Sequence, residues 1–279
     1  MFHTSTVWLI TGCSTGFGRS LAEHLLDQGH RVVATARDTE QIKDLRERGE
    51  ALLLPLDVSD PASVSEAVRQ AEEQFGGIHV LVNNAGIGYF AAVEESEEAA
   101  IDRLFDVNFH GVSRTIRAVL PGMRARRKGF IVNLTSIGGL VGHTAVGYYC
   151  ATKFAVEGLT ESLRHEVEPL GIKVMLVEPS AFRTEWAGSA RGSEATIADY
   201  DATAGAARRA YQASVGRQSG DPDRAARALV AAVESPEPPL HLLLGNDAHD
   251  TAMAKLATLR AEFEKWESTS RGADFPAGS

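Results

Sequence analysis

Seven short apolar runs, each separated from the next by a longer stretch of helical patterning, constrain this chain more than any other feature. The runs occupy residues 7–11, 31–36, 51–56, 79–84, 130–135, 173–179 and 240–245. They are apolar at nearly every position rather than at every second one. That pattern fits strands buried on both faces, as in a parallel sheet. Between them lie helix starts of recognisable chemistry. Asp60 is a good N-cap and Pro61 a good first helical residue. Asp38 is another N-cap, with Gln41 three positions on. Alternation of strand and helix predicts an α/β fold: a doubly wound parallel sheet of about seven strands, helices on both faces, in a single domain over residues 1–279. Two segments break the rhythm. Residues 185–220, rich in Ala, Gly and Arg, follow the sixth strand, where loops of such sheets carry the ligand, and are expected to form a mobile substrate lid. Residues 248–268 are expected to form a C-terminal helix that covers the cavity or meets a second subunit.

Charge and cysteine content narrow the function classes. The formal net charge of −9 argues against a nucleic-acid or anionic-membrane partner. The one dense basic run, residues 124–128, reads as a helix C-terminus with Gly129 as its stop. No stretch approaches the roughly 18 apolar residues of a membrane span, and the N-terminal apolar run has strand length. The two cysteines, Cys13 and Cys150, have neither metal-ligand nor redox spacing, so a reducing cytoplasm is expected and Cys150 reads as a small buried hydrophobe. The histidines show no ligand spacing, so no metal is expected.

The first run leads into TGCSTGFGRS, with Gly12, Gly16 and Gly18 spaced G-x-x-x-G-x-G around Ser14 and Phe17. Glycines between a first strand and a first helix allow a tight turn and bring backbone N–H groups against a pyrophosphate. The second strand ends in ATARD, where an NAD site places a ribose-binding carboxylate. Here that position is Ala36, followed by Arg37, whose planar guanidinium suits a 2′-phosphate. NADP(H) is therefore favoured over NAD(H). The alternative, Asp38 as the ribose carboxylate, competes with its use as an N-cap.

Tyr149 and Lys153 stand at i and i+4 in GYYCATKF and share a helix face, while Tyr148 faces elsewhere. A phenol with a pKa near 10 is a poor base at neutral pH, and lowering it by about 3 units requires about 4 kcal/mol of preference for the phenolate. A neighbouring ammonium has the right sign. With these residues in view, the sequence resembles the short-chain dehydrogenase/reductase family along nearly its whole length. The resemblance rests on Gly12, Gly16 and Gly18; on Asn83, Asn84, Ala85 and Gly86 after the fourth strand; on Asn108 in DVNFHG; on Ser136 in NLTSIGG; and on the Tyr149–Lys153 pair, all in family order. ATARD and TGCSTGFG further resemble the steroid- and retinol-dehydrogenase-like branch, which favours NADP(H). The resemblance implies a Rossmann-type fold and a catalytic set of Asn108, Ser136, Tyr149 and Lys153. Tyr149 exchanges the proton, Ser136 holds the substrate oxygen, Lys153 depresses the tyrosine pKa and binds the nicotinamide ribose, and Asn108 holds a relay water. It also implies that Asp57 contacts the adenine and that Asn84, Ala85 and Gly86 pass the cofactor ribose. Homodimers or homotetramers formed through long helices are expected on the same ground.

One position departs from the family. Pro179 is followed by Ser180 where glycine is usual, with Thr184 in register to contact the nicotinamide carboxamide. Serine tolerates positive φ less well than glycine, so either the backbone is ordinary there or the loop is shifted. His143, Phe182 and Trp186 are candidate substrate-pocket residues, with Phe90, Val141 and Val146 as further apolar walls. The expected function is NADP(H)-dependent interconversion of a secondary alcohol and a ketone on a mostly apolar small molecule. A non-catalytic nucleotide sensor of the same fold is the alternative. A nucleotide-sugar epimerase or dehydratase, which shares the Tyr-Lys pair, is disfavoured by the short stretch after the last strand.

Overall fold

The computed structural model describes residues 6–275. In chain order the elements are β1 (Val7–Ile10), α1 (Gly16–Asp27), β2 (Arg31–Ala36), β3 (Ala51–Pro55), α2 (Pro61–Phe75), β4 (Val80–Asn83), β5 (Tyr89–Phe90), α3 (Glu98–Phe105), α4 (Gly111–Arg126), β6 (Gly129–Leu134), α5 (Gly147–Val167), β7 (Ile172–Pro179), α6 (Trp186–Ser189), β8 (Arg191–Gly192), α7 (Ala206–Ala213), α8 (Pro222–Glu234), β9 (His241–Leu244), α9 (Asn246–Lys265) and α10 (Glu267–Arg271). Seven of the strands form one parallel sheet in the order β3-β2-β1-β4-β6-β7-β9. They coincide with the seven apolar runs.

The period-2 geometry of β1 shows how the sheet builds two cores. Val7 and Leu9 face one side, where α2, α4 and α5 contribute Val64, Val68, Ile116, Val119 and Val156. Trp8 and Ile10 face the other, against Leu21 and Leu25 of α1 and Leu229 and Val230 of α8. All four β1 side chains are fully buried. Burial of each such side chain is worth about 1.5–3 kcal/mol, so strands read as continuous apolar runs and helices need one apolar stripe each. Strand order reverses between β1 and β4, and the loops that follow these two strands open a crevice at their carboxyl ends.

Local signals held unevenly. Asp60 caps α2 by accepting from Ala62 N–H at 2.9 Å, with Pro61 in the first turn. Asp38 likewise accepts from Glu40 N–H at 3.0 Å, but the segment that it caps, Thr39–Glu47, is a 3₁₀-helix. The basic run does end α4, yet the left-handed stop is Arg127 (φ 53°), not Gly129. Gly129 instead opens β6, where a Cβ would lie 2.4 Å from the Met123 sulfur. The run is structural: Arg126 donates to Ile78 O (2.7 Å) and Arg127 to Pro169 O (2.7 Å). The C-terminal helix starts at Asn246 and breaks at Trp266 before α10. The short parallel pair β5–β8 had no sequence signal. Among the described residues, no helix is long and apolar enough to cross a membrane.

Candidate active site

The glycine loop is built by close approach. Gly12 (φ +73°) and Gly16 (φ +61°) take backbone conformations that L side chains rarely adopt. Gly18 is helical, and its constraint is space: a Cβ would meet Gly12 O at 2.3 Å and Asn84 Nδ2 at 2.4 Å. Asn84 completes the knot by donating to Thr11 O (2.9 Å) and Gly12 O (2.8 Å), while Thr11 Oγ1 accepts from the N–H groups of Asn84 and Ala85 at 3.0 Å each. The ends of β1 and β4 are thereby locked together. Thr15, at the N-cap of α1, makes no side-chain cap, and the first turn carries no acid. Arg19 is committed to Glu23 and Asp44. The backbone N–H groups opening α1 are left to face the crevice, the arrangement that receives a phosphate.

One cavity of about 1030 Å³ runs from this loop to the tyrosine. Its lining includes Gly12, Ser14, Gly16, Phe17, Arg37, Asp57, Asn84, Ala85, Gly86, Pro179 and Thr184, together with Ser136, Tyr149 and Lys153. Gly18 and Asn108 stand behind the wall. At the adenosine end Arg37 is exposed. Asp57 accepts from Ser59 N–H (2.9 Å) and Ser59 Oγ (2.6 Å), which hold its carboxyl below the ordinary range, with Arg37 adding a smaller pull. The residues therefore fit a dinucleotide: a glycine cradle that a methyl group would fill, a cation at one end, and a polar tyrosine-lysine-serine group at the other.

The backbone at Ser180 is ordinary, since φ is not positive there. Its N–H donates to Leu244 O at 3.0 Å. The positive φ falls instead on Gly245 (+94°), across from the Ser180 hydroxyl. Thr184 still reaches the cradle, and a Cβ on Gly16 would lie 3.1 Å from its side chain.

At the catalytic end, Ser136 caps a short 3₁₀ turn by accepting from Gly138 N–H at 3.0 Å. Its own hydroxyl has a long 3.5 Å approach to Pro179 O and also interacts with the Tyr149 hydroxyl. Lys153 is 6% exposed and donates to Leu134 O at 2.9 Å, with Nζ 5.6 Å from the Tyr149 ring centre. Asn108 lies in a π-helical turn, Asp106–His110, that joins α3 to α4. Its Oδ1 accepts from Ile87 N–H (2.8 Å), and its Nδ2 donates to Ile87 O (2.9 Å) and Thr152 Oγ1 (3.3 Å). Both polar ends are spent holding the segment after β4 against α5.

Burial pushes Tyr149 above its ordinary range, outweighing the lowering effect of Ser136. Burial also lowers Lys153 to about 8. Desolvation is the largest influence on each group, and Tyr149 rests as the phenol.

The far end of the cavity is aromatic. Trp186 packs 4.8 Å from Tyr149, and Phe90 sits between Trp186 (5.8 Å) and Tyr211 (5.2 Å, stacked). Phe182 lines the same cavity at its glycine-loop end, against Phe17 at 4.9 Å and over Gly220. Val146 lines the cavity, but Val141 packs under α9 beside Ile137 and Ala252. Cys150 is buried, with its thiol pushed up by burial. His143 lines the cavity with a buried, unpartnered Nε2. Gln218, which sequence reasoning missed, does the same with Oε1 and is 7% exposed. Its position in an irregular stretch gave no signal. The segment expected as a lid carries α6, β8 and α7 and is tied down through Ser193 Oγ to Glu95 O (2.6 Å) and Ile197 N–H to Glu95 (2.8 Å).

Comparison with known proteins agrees with this geometry. The sequence profile described as short chain dehydrogenase matches residues 6–195. The chain is 37% identical to oxidoreductase BOA17 of Botryotinia fuckeliana over 95% of this chain and 97% of that protein. It is 36% identical to human retinol dehydrogenase 8, over 83% of this chain and 79% of that one. A short-chain dehydrogenase structure from Streptomyces avermitilis superposes with TM-score 0.91 at 41% identity, covering 98% and 100% of the two chains. A short chain dehydrogenase/reductase from Burkholderia phymatum, solved with NAD, superposes with TM-score 0.80 at 30% identity, covering 96% and 97%.

Proposed function

The chain belongs to the short-chain dehydrogenase family of oxidoreductases, in its retinol- and steroid-dehydrogenase-like branch, and from that premise we propose that it is an NADP(H)-dependent enzyme interconverting a secondary alcohol and a ketone. The observation that carries the reading is the single cavity joining the glycine cradle to Ser136, Tyr149 and Lys153. The bound nicotinamide supplies or accepts the hydride. The rest follows from this chain's own groups. Ser136 donates its proton to the substrate oxygen and stabilises the charge that develops there. Tyr149, held as the phenol by burial, gives its proton to that same oxygen in the reductive direction. Lys153 stabilises the phenolate left behind. Asn108 keeps Ile87 in place beside the lysine. Trp186 and Tyr211, from the segment proposed as a lid, help exclude water.

NADP(H) preference rests on Arg37, because no carboxylate stands at Ala36 and Asp38 is used as a cap. Arg37→Asp should lower the NADPH-to-NADH ratio of kcat/KM by roughly 10- to 100-fold, the worth of one or two charge-assisted bonds. An unchanged ratio removes Arg37 from the account. The substrate side supports a mostly apolar, flat molecule carrying a second polar group. Phe90, Trp186 and Tyr211 offer the apolar walls, and His143 Nε2 and Gln218 Oε1 are buried polar atoms awaiting a partner. Among paired ketones with and without a distal hydroxyl, wild type should favour the hydroxylated member at least about tenfold, and Gln218→Leu should erase that preference. Equal rates for each pair in wild type refute it. The exposed face of α5 carries Ala151, Phe154 and Gly158 and no charge between them, a surface suited to a second copy of the chain and tested by mass in solution.

A further inference from the structure

Behind the catalytic lysine lies a buried polar cluster that the proposed mechanism does not use. Glu157 is one helical turn beyond Lys153 on α5, so the two side chains share a face. It is 5% exposed, with both carboxylate oxygens buried and in reach of the Thr135 hydroxyl and the Glu178 carboxyl. Glu178 projects from β7, is fully buried, and leaves Oε2 unpartnered. His241, at the start of β9, closes the group: its Nδ1 is 2.6 Å from Glu178 Oε1 and 3.9 Å from Glu157 Oε2. One donor atom from each residue lies within 4.8 Å of the others. His241 is 39% exposed, and its Nε2 is 3.9 Å from the exposed Glu161. The cluster runs from the interior beside Lys153 to solvent.

Two carboxylates cannot both be ionised in so dry a place without a compensating charge. The groups facing them are few: Lys153 and Glu161 from α5, His241 from β9, and the neutral Thr135 hydroxyl after β6. Burial raises both Glu157 and Glu178 to about 7, so the pair titrates as a unit near neutral pH. A carboxylate at Glu157 favours the ammonium form of Lys153.

We propose that Glu157 and Glu178 share one proton behind the catalytic lysine, exchange it with solvent through His241, and by their charge set the pH range over which Lys153 stays an ammonium. Glu157 is then a positioning residue acting through Lys153. The pH-rate part of the proposal rests on the oxidoreductase reading; the shared proton itself does not.

The test therefore has two arms. Infrared difference spectra of the intact protein, wild type minus Glu157→Gln, read the shared proton without turnover. A protonated-carboxyl band present at pH 6 and lost by pH 8 in wild type, and absent from Glu157→Gln at pH 7, is expected. No such band at pH 6 overturns the proposal. In the second arm, kcat/KM for NADPH-dependent ketone reduction is followed against pH. Loss of the Glu157 charge lowers the affinity of Lys153 for its proton, so the alkaline limb should move to lower pH by about one unit in Glu157→Gln and return in Glu157→Asp. An unmoved limb in a folded, active variant overturns the coupling. A wild type inactive on every ketone sinks the functional reading, while the infrared arm still decides on the shared proton. Should Glu157→Gln not fold, His241→Asn at the exposed end serves. Removing the imidazole should slow the deuterium shift of the band after transfer to D2O, and an unchanged rate overturns the role of His241. One equivalent of zinc held through dialysis by wild type and lost by Glu178→Gln would mean that the cluster binds a cation instead, and would also overturn the proposal.

Discussion

Tyr149→Phe should reduce kcat for ketone reduction roughly a thousandfold while leaving the affinity for NADPH within about twofold of wild type, because only the proton exchanged in the transition state is removed. The ring remains, and with it the 4.8 Å contact with Trp186 and the packing around Phe90. The sign of the pH dependence follows from the site. Tyr149 is held above its ordinary range by burial, so in the reductive direction the proton donor is intact through neutral pH. Lys153, lowered to about 8, loses its charge as pH rises through that value, and turnover should fall there. The residual rate of Tyr149→Phe should lack this limb, since there is no phenolate left to stabilise. Steady-state rates and fluorescence titration with NADPH on both proteins measure all three. A variant with full activity removes Tyr149 from the chemistry. Tight NADPH binding by a wild type that is silent across ketones, aldehydes and steroids would instead favour a nucleotide sensor.

The fold was legible in the sequence to the extent that it depends on local pattern. All seven strands of the large sheet announce themselves as apolar runs, because strands largely covered on both faces take apolar side chains at most positions. The site was legible where glycine or chain order carries the meaning: Gly12, Gly16, Tyr149 and Lys153 could be placed from their neighbours alone. What escaped depends on contacts between distant segments. Gln218 and Tyr211 reach the cavity only because the segment after β7 folds back over it. Val141 turned away under α9, a packing choice that no local pattern records. The helical spacing of Tyr149 and Lys153 gives their proximity but not their desolvation, which pushes the tyrosine up and the lysine down. Glu178 did leave a trace, as a lone acid in the apolar strand VMLVEP. Its partners Glu157 and His241 lie 21 and 63 positions away, and only the sheet brings the three together.

The second large effect is expected from one methyl group. Gly18→Ala places a Cβ 2.3 Å from Gly12 O and 2.4 Å from Asn84 Nδ2, both far inside contact distance. Neither neighbour is a flexible end. Gly12 O is backbone held in a positive-φ turn, and Asn84 is fixed by two hydrogen bonds to Thr11 O and Gly12 O. The clash must therefore be relieved by moving the loop, and with it the N–H groups at the start of α1 that face the crevice. Overpacking of a tight site costs about 1–3 kcal/mol. Displacing several phosphate-facing donors together adds to this on the binding side, so NADPH affinity should fall roughly a hundredfold, equivalent to about 2.7 kcal/mol. The two costs separate experimentally. Thermal unfolding of the free protein reads the strain, and calorimetric titration with NADPH reads the misplaced donors. Gly29→Ala is the comparison. It too has positive φ (+79°), but nothing lies within 4 Å of its Cβ and it stands at the far end of α1. It should lower stability with no change in NADPH affinity. If Gly18→Ala loses only stability, the loop does not cradle the phosphates, and the dinucleotide must be held chiefly by Arg37, Asp57 and the β4 segment.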